Sequence, residues 1–577
     1  MLRNETWARR LCGLPGSGGL THARKSDYDA PLKAVVAVCG GQDVRIVAVM
    51  ASFVCALPSF AQPFPPGYVD PAPLLAAAAR EIGEANLRCV TFSGTGYAGA
   101  VGQTFENAVN VDWPRIDSLA SYTRSIDWET GTGTETFDRR PGLSPAAWKY
   151  GLGWQGGTPT QTQTRQTHIV NGRYAWHVDG DGAPVAVSPE LAELYQLDLW
   201  LNAPGFLKAA RLPGANPVAF WRWEQLEKGR DGNVVQPEKV HVVAITMLGK
   251  YRVDATINSQ NLITRIKTTV NEPALGDFNI EHESTNWVAF GDVKWPTVWH
   301  SHHGWDDNWQ FYRQSTGHNG YGGAFPNVRP NDCGAAQPVP ASVAQATFET
   351  TVTVDEIADG VYLLGGGPAN SYMVEFGDFV AVFEAPGNEQ RSLAVIDTIA
   401  KLAPDKPIRW LVSSHPHFDH IGGLRSYLHI GATIVAHMKN IAFLNRDVLS
   451  YEPRTVAPDI VSRWPPTEVA EGYNYEAVQE SYVITDNRKI LRVYYVQPLR
   501  HVEGMLMAYL PAERIVFQAD LFDTHEPPKA AQLPAMQTLA TQVARMQLDV
   551  ETLAPVHGRP VPWSAFEAAL RALRTER

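Results

Sequence analysis

Cysteine is scarce: the chain has five in 577 residues. At that length and density a small disulfide-stapled scaffold is excluded. Basic runs are missing as well. Lys and Arg total 49 against 60 Asp and Glu, a formal net charge of −11. A phosphate backbone demands a basic surface, so no nucleic acid is expected as a partner. No apolar stretch reaches the ~20 residues of a membrane helix, so no stable membrane span is expected. Repeats of solenoid length and low-complexity tracts are absent from the sequence. Gly365-Gly366-Gly367 lacks a following Lys-Ser/Thr and a helix to hold an anion. It reads as a flexible loop beside a cleft, not as a phosphate-binding loop. What the chain does have is 44% hydrophobic residues, ample for packed cores. Its length points to two domains.

The N-terminus reads as an export signal behind an odd preface. Ile46–Leu57 is an apolar core with Arg45 before it, and Ser59-Phe60-Ala61 fits a small-residue cleavage site. A mature start near Gln62 and a periplasmic or secreted location are expected, the alternative being that the apolar run is a buried N-terminal strand or helix. Residues 1–41 show neither a core pattern nor a targeting pattern, as a start assigned too far upstream would. Cys12, Cys39 and Cys55 fall in the part expected to be lost. Cys89 and Cys333 remain, either as a disulfide or as two buried thiols.

Residues 62–325 read as a mainly antiparallel β domain with a few helices. Asp70-Pro71 caps and opens an Ala-rich helix to about Leu87. Val240–Met247, Lys250–Ile257 and Leu262–Val270 read as strands. Gly291-Asp292 marks a hairpin. Ser188 and Pro189 open one helix over Glu190–Leu201. Thirteen of the seventeen Trp lie between Trp113 and Trp309, so they either fill a curved sheet's concave face or line a ligand groove. His300 and His302 share a strand face, either as exposed or structural residues or as part of a second metal site. A Pro-rich linker, residues 326–346, breaks both periods. A separable domain over 347–577 follows.

That last region holds the chemistry. His415-Pro416-His417-Phe418-Asp419-His420 follows the apolar run Ile408–Val412. A strand ending in a tight loop can point His415 and His417 at one metal ion and Asp419 and His420 at a second. Imidazole and carboxylate suit zinc. Downstream, His501, Asp520 and His557 each follow a strand-like run, where rigid sheets carry functional groups.

This ordered set resembles the metallo-β-lactamase-fold hydrolase superfamily over roughly residues 347–577. The resemblance implies an αββα sandwich with a two-metal cleft along one edge, making the whole chain α+β. It implies one zinc ion on His415, His417 and His501, a second on Asp419, His420 and His557, and Asp520 bridging the two. Asp419 and Asp520 would be the catalytic carboxylates, Asp419 orienting the nucleophile. His417 stands where flavodiiron members carry Glu, which favours zinc hydrolysis over iron redox work. True metallo-β-lactamases lack the bridging carboxylate, so β-lactamase activity is not favoured. The pattern resembles the branch with thioesterases, lactonases and phosphodiesterases. The expected activity is an exported hydrolase using two zinc ions and a metal-activated water on a small-molecule ester, thioester or lactone. The alternative is a carrier whose β domain captures a lipid-like or sugar-like ligand beside a vestigial hydrolase fold. The sequence leaves the proton donor open between His437, His525 and others.

Overall fold

The computed structural model describes residues 69–106, 113–114, 117–141, 163–224, 238–304, 319–464 and 473–575. The export signal and cleavage site expected at 46–61 lie outside the described residues.

Residues 69–330 build a 13-stranded sheet whose pairings are antiparallel. One meander runs from Val185–Ala186 through Thr164–Asn171 and Asp117–Asp127 to Cys89–Ala98. The other runs from Val218–Glu224 through Ile263–Glu272, Gly276–Phe290 and Val293–His303 to Asn319–Pro330. The two meet where Cys89–Ala98 pairs with Asn319–Pro330. Gly94 makes that seam possible: a Cβ there would lie 1.9 Å from the Ala324 carbonyl oxygen. The Cys89–Cys333 disulfide ties the start of one seam strand to the residues just past the other.

Local signals set the helices. Asp70 accepts a hydrogen bond from the Ala72 amide at 3.0 Å, and Pro71 opens the helix Pro71–Ile82. The helix stops short of Leu87 because Gly83 caps it, returning its N–H to the Ala79 and Arg80 carbonyls. Ser188 caps Pro189–Asp198. That helix ends before the expected Leu201, because Asn202 caps a second helix, Ala203–Ala209, and Pro204 cannot continue the first. Trp113, Trp128, Trp176 and Trp295 are buried, whereas Trp221 and Trp223 are exposed.

The expected linker begins too early. Pro326 and Pro330 belong to the strand Asn319–Pro330. Its pairing with Val293–His303 covers residues 319–324 only, while its pairing with Cys89–Ala98 runs on to Pro330. With one ladder partner there, the missing proline N–H groups cost no sheet bond.

Two further sheets follow. The first has seven strands in chain order, from Thr353–Ala358 to Tyr475–Val478. It is antiparallel until Val380–Phe383, then parallel through Ile408–Val412 and Thr433–His437. The second has six, from Ser481–Thr485 to Val561–Pro562. Alternation splits the first sheet's side chains. Tyr372, Ala381, Phe383, Val412 and Val435 pack with Leu506, Ala508, Val516 and Phe517 of the second sheet. Helices Leu533–Arg545 and Trp563–Thr575 add Met536, Leu539, Phe566 and Leu570 to that cluster. Met373, Val382, Leu411 and Ile434 instead pack with Val395, Ile399, Leu424 and Tyr427, from helices Glu389–Leu402 and Leu424–His429.

The second cluster does not stop there. It continues into Val243, Ile245, Ile266, Val270 and Phe278 of the 13-stranded sheet. Residues 64–577 form one compact unit. This shared cluster lies beside a core of each part's own, with Phe92, Ile126 and Phe325 in the first and the two-sheet cluster in the second. Polar contacts seal the same junction. Arg454 donates to the Pro273 and Ala274 carbonyls at 2.8 and 2.7 Å. Asp277 accepts from the Thr455 and Val456 amides. Among the described residues no helix is long and apolar enough to cross a membrane.

Candidate metal centre

All seven predicted ligands follow strand ends. The 415–420 loop follows Ile408–Val412 of the seven-stranded sheet. His501 lies between Ile490–Tyr495 and Leu506–Leu510, Asp520 lies just past Ile515–Gln518, and His557 follows Thr552–Pro555. Two sheets thus deliver one cluster. His415, His417, His501 and Asp520 form one group whose ligand atoms lie within 4.8 Å of one another. Asp419, His420 and His557 form another on the same criterion.

Asp520 touches both groups. One carboxylate oxygen lies 2.9 Å from His501 Nε2 and 3.4 Å from His415 Nε2. The other lies 3.1 Å from both His420 Nε2 and His557 Nε2. The backbone at Asp520 has φ +55°, a left-handed conformation that Asp tolerates better than most residues.

The donor set fits a divalent cation. A metal-binding imidazole needs one nitrogen bare and the other held, which fixes tautomer and ring orientation. His417 Nε2 donates to the Thr104 carbonyl at 3.0 Å, and its buried Nδ1 has no hydrogen-bond partner. His557 Nδ1 donates to the Pro368 carbonyl at 3.3 Å, leaving Nε2 toward Asp520. His420 Nδ1 sits 2.5 Å from Glu384. His415 Nδ1 sits 2.8 Å from Ser414 Oγ, and its buried Nε2 has no hydrogen-bond partner. One Asp520 oxygen is likewise buried without one.

Electrostatics show what the cluster must balance. Burial raises the Asp520 pKa, but His420 and His415 override it and hold the carboxyl well below its ordinary range. Burial lowers His420, but Asp520, Asp419 and Glu384 win and raise it well above its ordinary value. His415 is pushed down to about 4 by burial, with His420 adding to the effect. Ionised carboxylates beside His415 and His417, whose imidazoles resist protonation, make a site for an external cation.

Sequence reasoning missed four residues here. Glu384 is fully buried, and its carboxylate accepts from His420 Nδ1 and, at 2.6 Å, from the Ser414 amide. Its signal was a lone acidic residue directly after the apolar strand Val380–Phe383. Ser414 is the second. Gln103 and Thr104 come from the other end of the chain. Gln103 Nε2 donates to Asp419 at 2.7 Å, and Thr104 holds His417. Gly102 brings that loop in: it has φ +80°, and a Cβ would lie 2.4 Å from the Phe418 ring. The two candidate proton donors differ in position. His437 is buried, with Nε2 3.2 Å from the Gln479 carbonyl and its ring against Tyr495. The His525 ring lies 6.5 Å from that of His557.

A third group, Glu283, His300 and His302, lies on the 13-stranded sheet. His300 pairs with Glu283 at 3.1 Å and His302 with Glu281 at 3.2 Å. Arg265 already sits 3.2 Å from Glu283 and 3.5 Å from Glu281, so a cation is built into this cluster.

Residues 364–557 match the family described as the metallo-beta-lactamase superfamily. The C-terminal part of the chain is a metallo-β-lactamase superfamily domain. This places it among metal-dependent hydrolases. The match leaves the 13-stranded sheet uncovered. No curated protein matches the chain. Similar solved structures include the metallo-β-lactamase FIM-1 from Pseudomonas aeruginosa in its mono-zinc form. It is 19% identical, with a TM-score of 0.29, over 39% of this chain and 96% of that one. The metallo-β-lactamase from Pontibacter korlensis is 15% identical, with a TM-score of 0.28, over 39% and 99%. That from Hirschia baltica is 16% identical, with a TM-score of 0.28, over 38% and 97%.

Proposed function

We propose that the chain is an exported binuclear zinc hydrolase acting on a small-molecule ester, thioester or lactone. The observation that carries this reading is Asp520, with one carboxylate oxygen toward each of two imidazole groups. In this reading His415, His417 and His501 would hold one zinc, Asp419, His420 and His557 would hold the other, and Asp520 would serve both. Two such ions supply a water of lowered pKa and polarise the bond under attack. The chain's own groups do the rest. Glu384 and the Thr104 and Pro368 carbonyls hold imidazole rings so that their bare nitrogens converge. Gln103 fixes one oxygen of Asp419, a side chain that is 47% exposed. The other oxygen faces His420 Nε2 at 3.4 Å, where it would hold the second zinc and orient the water that the metal supplies.

The two smaller sheets and their helices are read as the αββα sandwich, with residues 69–330 as an accessory part. The Cys89–Cys333 disulfide supports a periplasmic or secreted location, since such bonds persist in oxidising compartments. β-Lactam hydrolysis is kept as a test arm, not as the favoured activity.

The experiment is metal analysis of the full chain, followed by assay on ester, thioester, lactone, phosphodiester and β-lactam panels. About two zinc per chain are expected, with turnover lost on chelation and regained on zinc addition. Turnover that survives complete chelation would defeat the reading. So would a chain that holds no zinc at micromolar free metal.

A further inference from the structure

A well-formed cavity lies in the 13-stranded sheet, away from the candidate metal ligands. Its volume is about 360 Å³. Strands from both meanders and the helix Pro189–Asp198 line it, so the sheet curls around that helix. The lining is mostly apolar, with Leu119, Phe137, Leu194, Leu199, Val270 and Ile280 around it. Ligand pockets of this character occupy about 300–1,000 Å³.

The polar groups in the wall define the ligand. Two arginines and two carboxylates line the cavity, and each has a partner within the protein. Arg124 pairs with Asp198 at 2.6 Å. Arg139 lies 3.3 Å from Asp117. Glu135 accepts from the Tyr122 hydroxyl at 2.5 Å and faces His168 at 3.7 Å. Burial pushes Glu135 up, but His168 and Arg124 more than offset it and hold it ionised at about 2. Burial also pushes His282 down to about 4 and His303 to about 3, so both stay neutral near pH 7. A charged ligand would therefore enter an apolar space with no free counter-charge, which is costly. Two polar atoms of lining residues are unmatched: His303 Nε2 and Arg139 Nε are each buried with no hydrogen-bond partner.

An apolar cavity of about 150 Å³ holds a six-carbon ring, so this one holds on the order of a dozen heavy atoms. We propose that the cavity between the 13-stranded sheet and helix Pro189–Asp198 binds a neutral, largely apolar small molecule with one or two hydrogen-bonding groups. This site is distinct from the metal centre, since none of the proposed ligands lines it. It is nevertheless connected to the centre. The His303 carbonyl, in the cavity wall, accepts from Trp113 Nε1 at 2.6 Å, and the Trp113 ring packs edge-on against Phe418.

The test is fluorescence titration of the purified full chain with N-phenyl-1-naphthylamine, a neutral apolar probe. It reads no turnover, so its outcome is independent of the hydrolase reading. Saturable binding at one site per chain is expected. Leu194→Trp from the helix and Ile280→Trp from the sheet fill the cavity from different walls. Each should weaken binding at least tenfold while melting cooperatively. 1-Dodecanol should displace the probe at least tenfold better than dodecanoate or dodecylammonium, which share its chain length but carry charge. Absence of saturable binding overturns the proposal, as does unchanged affinity in either folded variant. Equal displacement by dodecanoate overturns the neutral ligand class. If one filled variant fails to fold, the other and the competition series decide.

Discussion

Asp520→Asn is the perturbation that bears hardest on the metal centre. Asn keeps the shape of Asp and is at home at the left-handed φ of +55°. Asp520→Ala would add strain at that backbone, of order 1 kcal/mol, to whatever it does to the metal. The amide change therefore isolates the ligand effect. In the parent, one oxygen faces His415 and His501 and the other faces His420 and His557. In the variant, one of those positions becomes an NH₂, which cannot ligate a cation. One imidazole group loses its carboxylate outright, and the other keeps only a neutral carbonyl. Loss of an outer partner already costs about 10–100-fold in metal affinity. Loss of a direct, charged ligand should exceed 100-fold, about 2.7 kcal/mol at 1.36 kcal/mol per decade. The assay is equilibrium dialysis at fixed free zinc, then metal analysis and turnover on the same sample. Zinc should fall to about one per chain or below, and turnover should collapse with it. His437→Ala is the control, because His437 hydrogen-bonds the Gln479 carbonyl and belongs to neither ligand group. It should lower melting temperature yet keep zinc per folded chain. Two zinc ions at near-parental affinity and a full rate in Asp520→Asn would refute the bridging role.

Other outcomes are expected from the same structure. Glu384→Gln weakens the acceptor for His420 Nδ1, so zinc affinity should drop about 10–100-fold by the same dialysis. Gln103→Ala should lower kcat with zinc content unchanged, because Gln103 positions Asp419 and is not itself in either ligand group. Cys89→Ser opens a crosslink between residues 244 apart and should lower unfolding free energy by about 2–5 kcal/mol in denaturant titrations. Glu272 is raised from 4.5 to about 7 by burial, against the pull of the Leu275 amide and Arg454. Its folded-state pKa lies above the unfolded one, so its contribution is full below pH 4.5 and lost as pH rises through 7. Glu272→Gln should therefore match the parent at pH 4 and exceed it above pH 7, by at most about 3 kcal/mol. A stability gap that does not grow with pH would refute that assignment.

The ligand-type residues were legible because four of them fall within six positions, after an apolar run that could only be a strand. His501, Asp520 and His557 were legible for the same reason, each coming after a short strand-like run. Glu384 was not. It is a single carboxylate 36 residues from His420, and only the parallel pairing of Val380–Phe383 with Ile408–Val412 brings it alongside. The linker was misread because Pro signals the loss of one N–H, not the end of a strand. Pro326 and Pro330 sit on a stretch that pairs on one side only. The helix ends were misread through Gly83 and Asn202, whose capping bonds outrank the apolar stripe that continues past them.

The shared core was illegible for a deeper reason. Composition marks where a chain is irregular; it does not mark which faces pack. Leu411 and Ile434 have one face toward their own helices, and the same cluster runs into Ile266 and Val270 of a sheet whose last strand ends before residue 331. The metal loop shows the consequence. Phe418, between His417 and Asp419, packs its ring against Trp113 and leaves no space for a side chain at Gly102. The backbone carbonyl at Thr104 then fixes the His417 ring, and Gln103 fixes Asp419, across separations of 313 and 316 residues. A cluster built only from residues 347–577 would lack both restraints. The strand ends deliver the candidate ligand atoms, but the loop from the first sheet decides which His417 nitrogen is bare and where the Asp419 carboxylate points. The 13-stranded sheet is thus part of the centre's architecture, although no residue in it belongs to either ligand group.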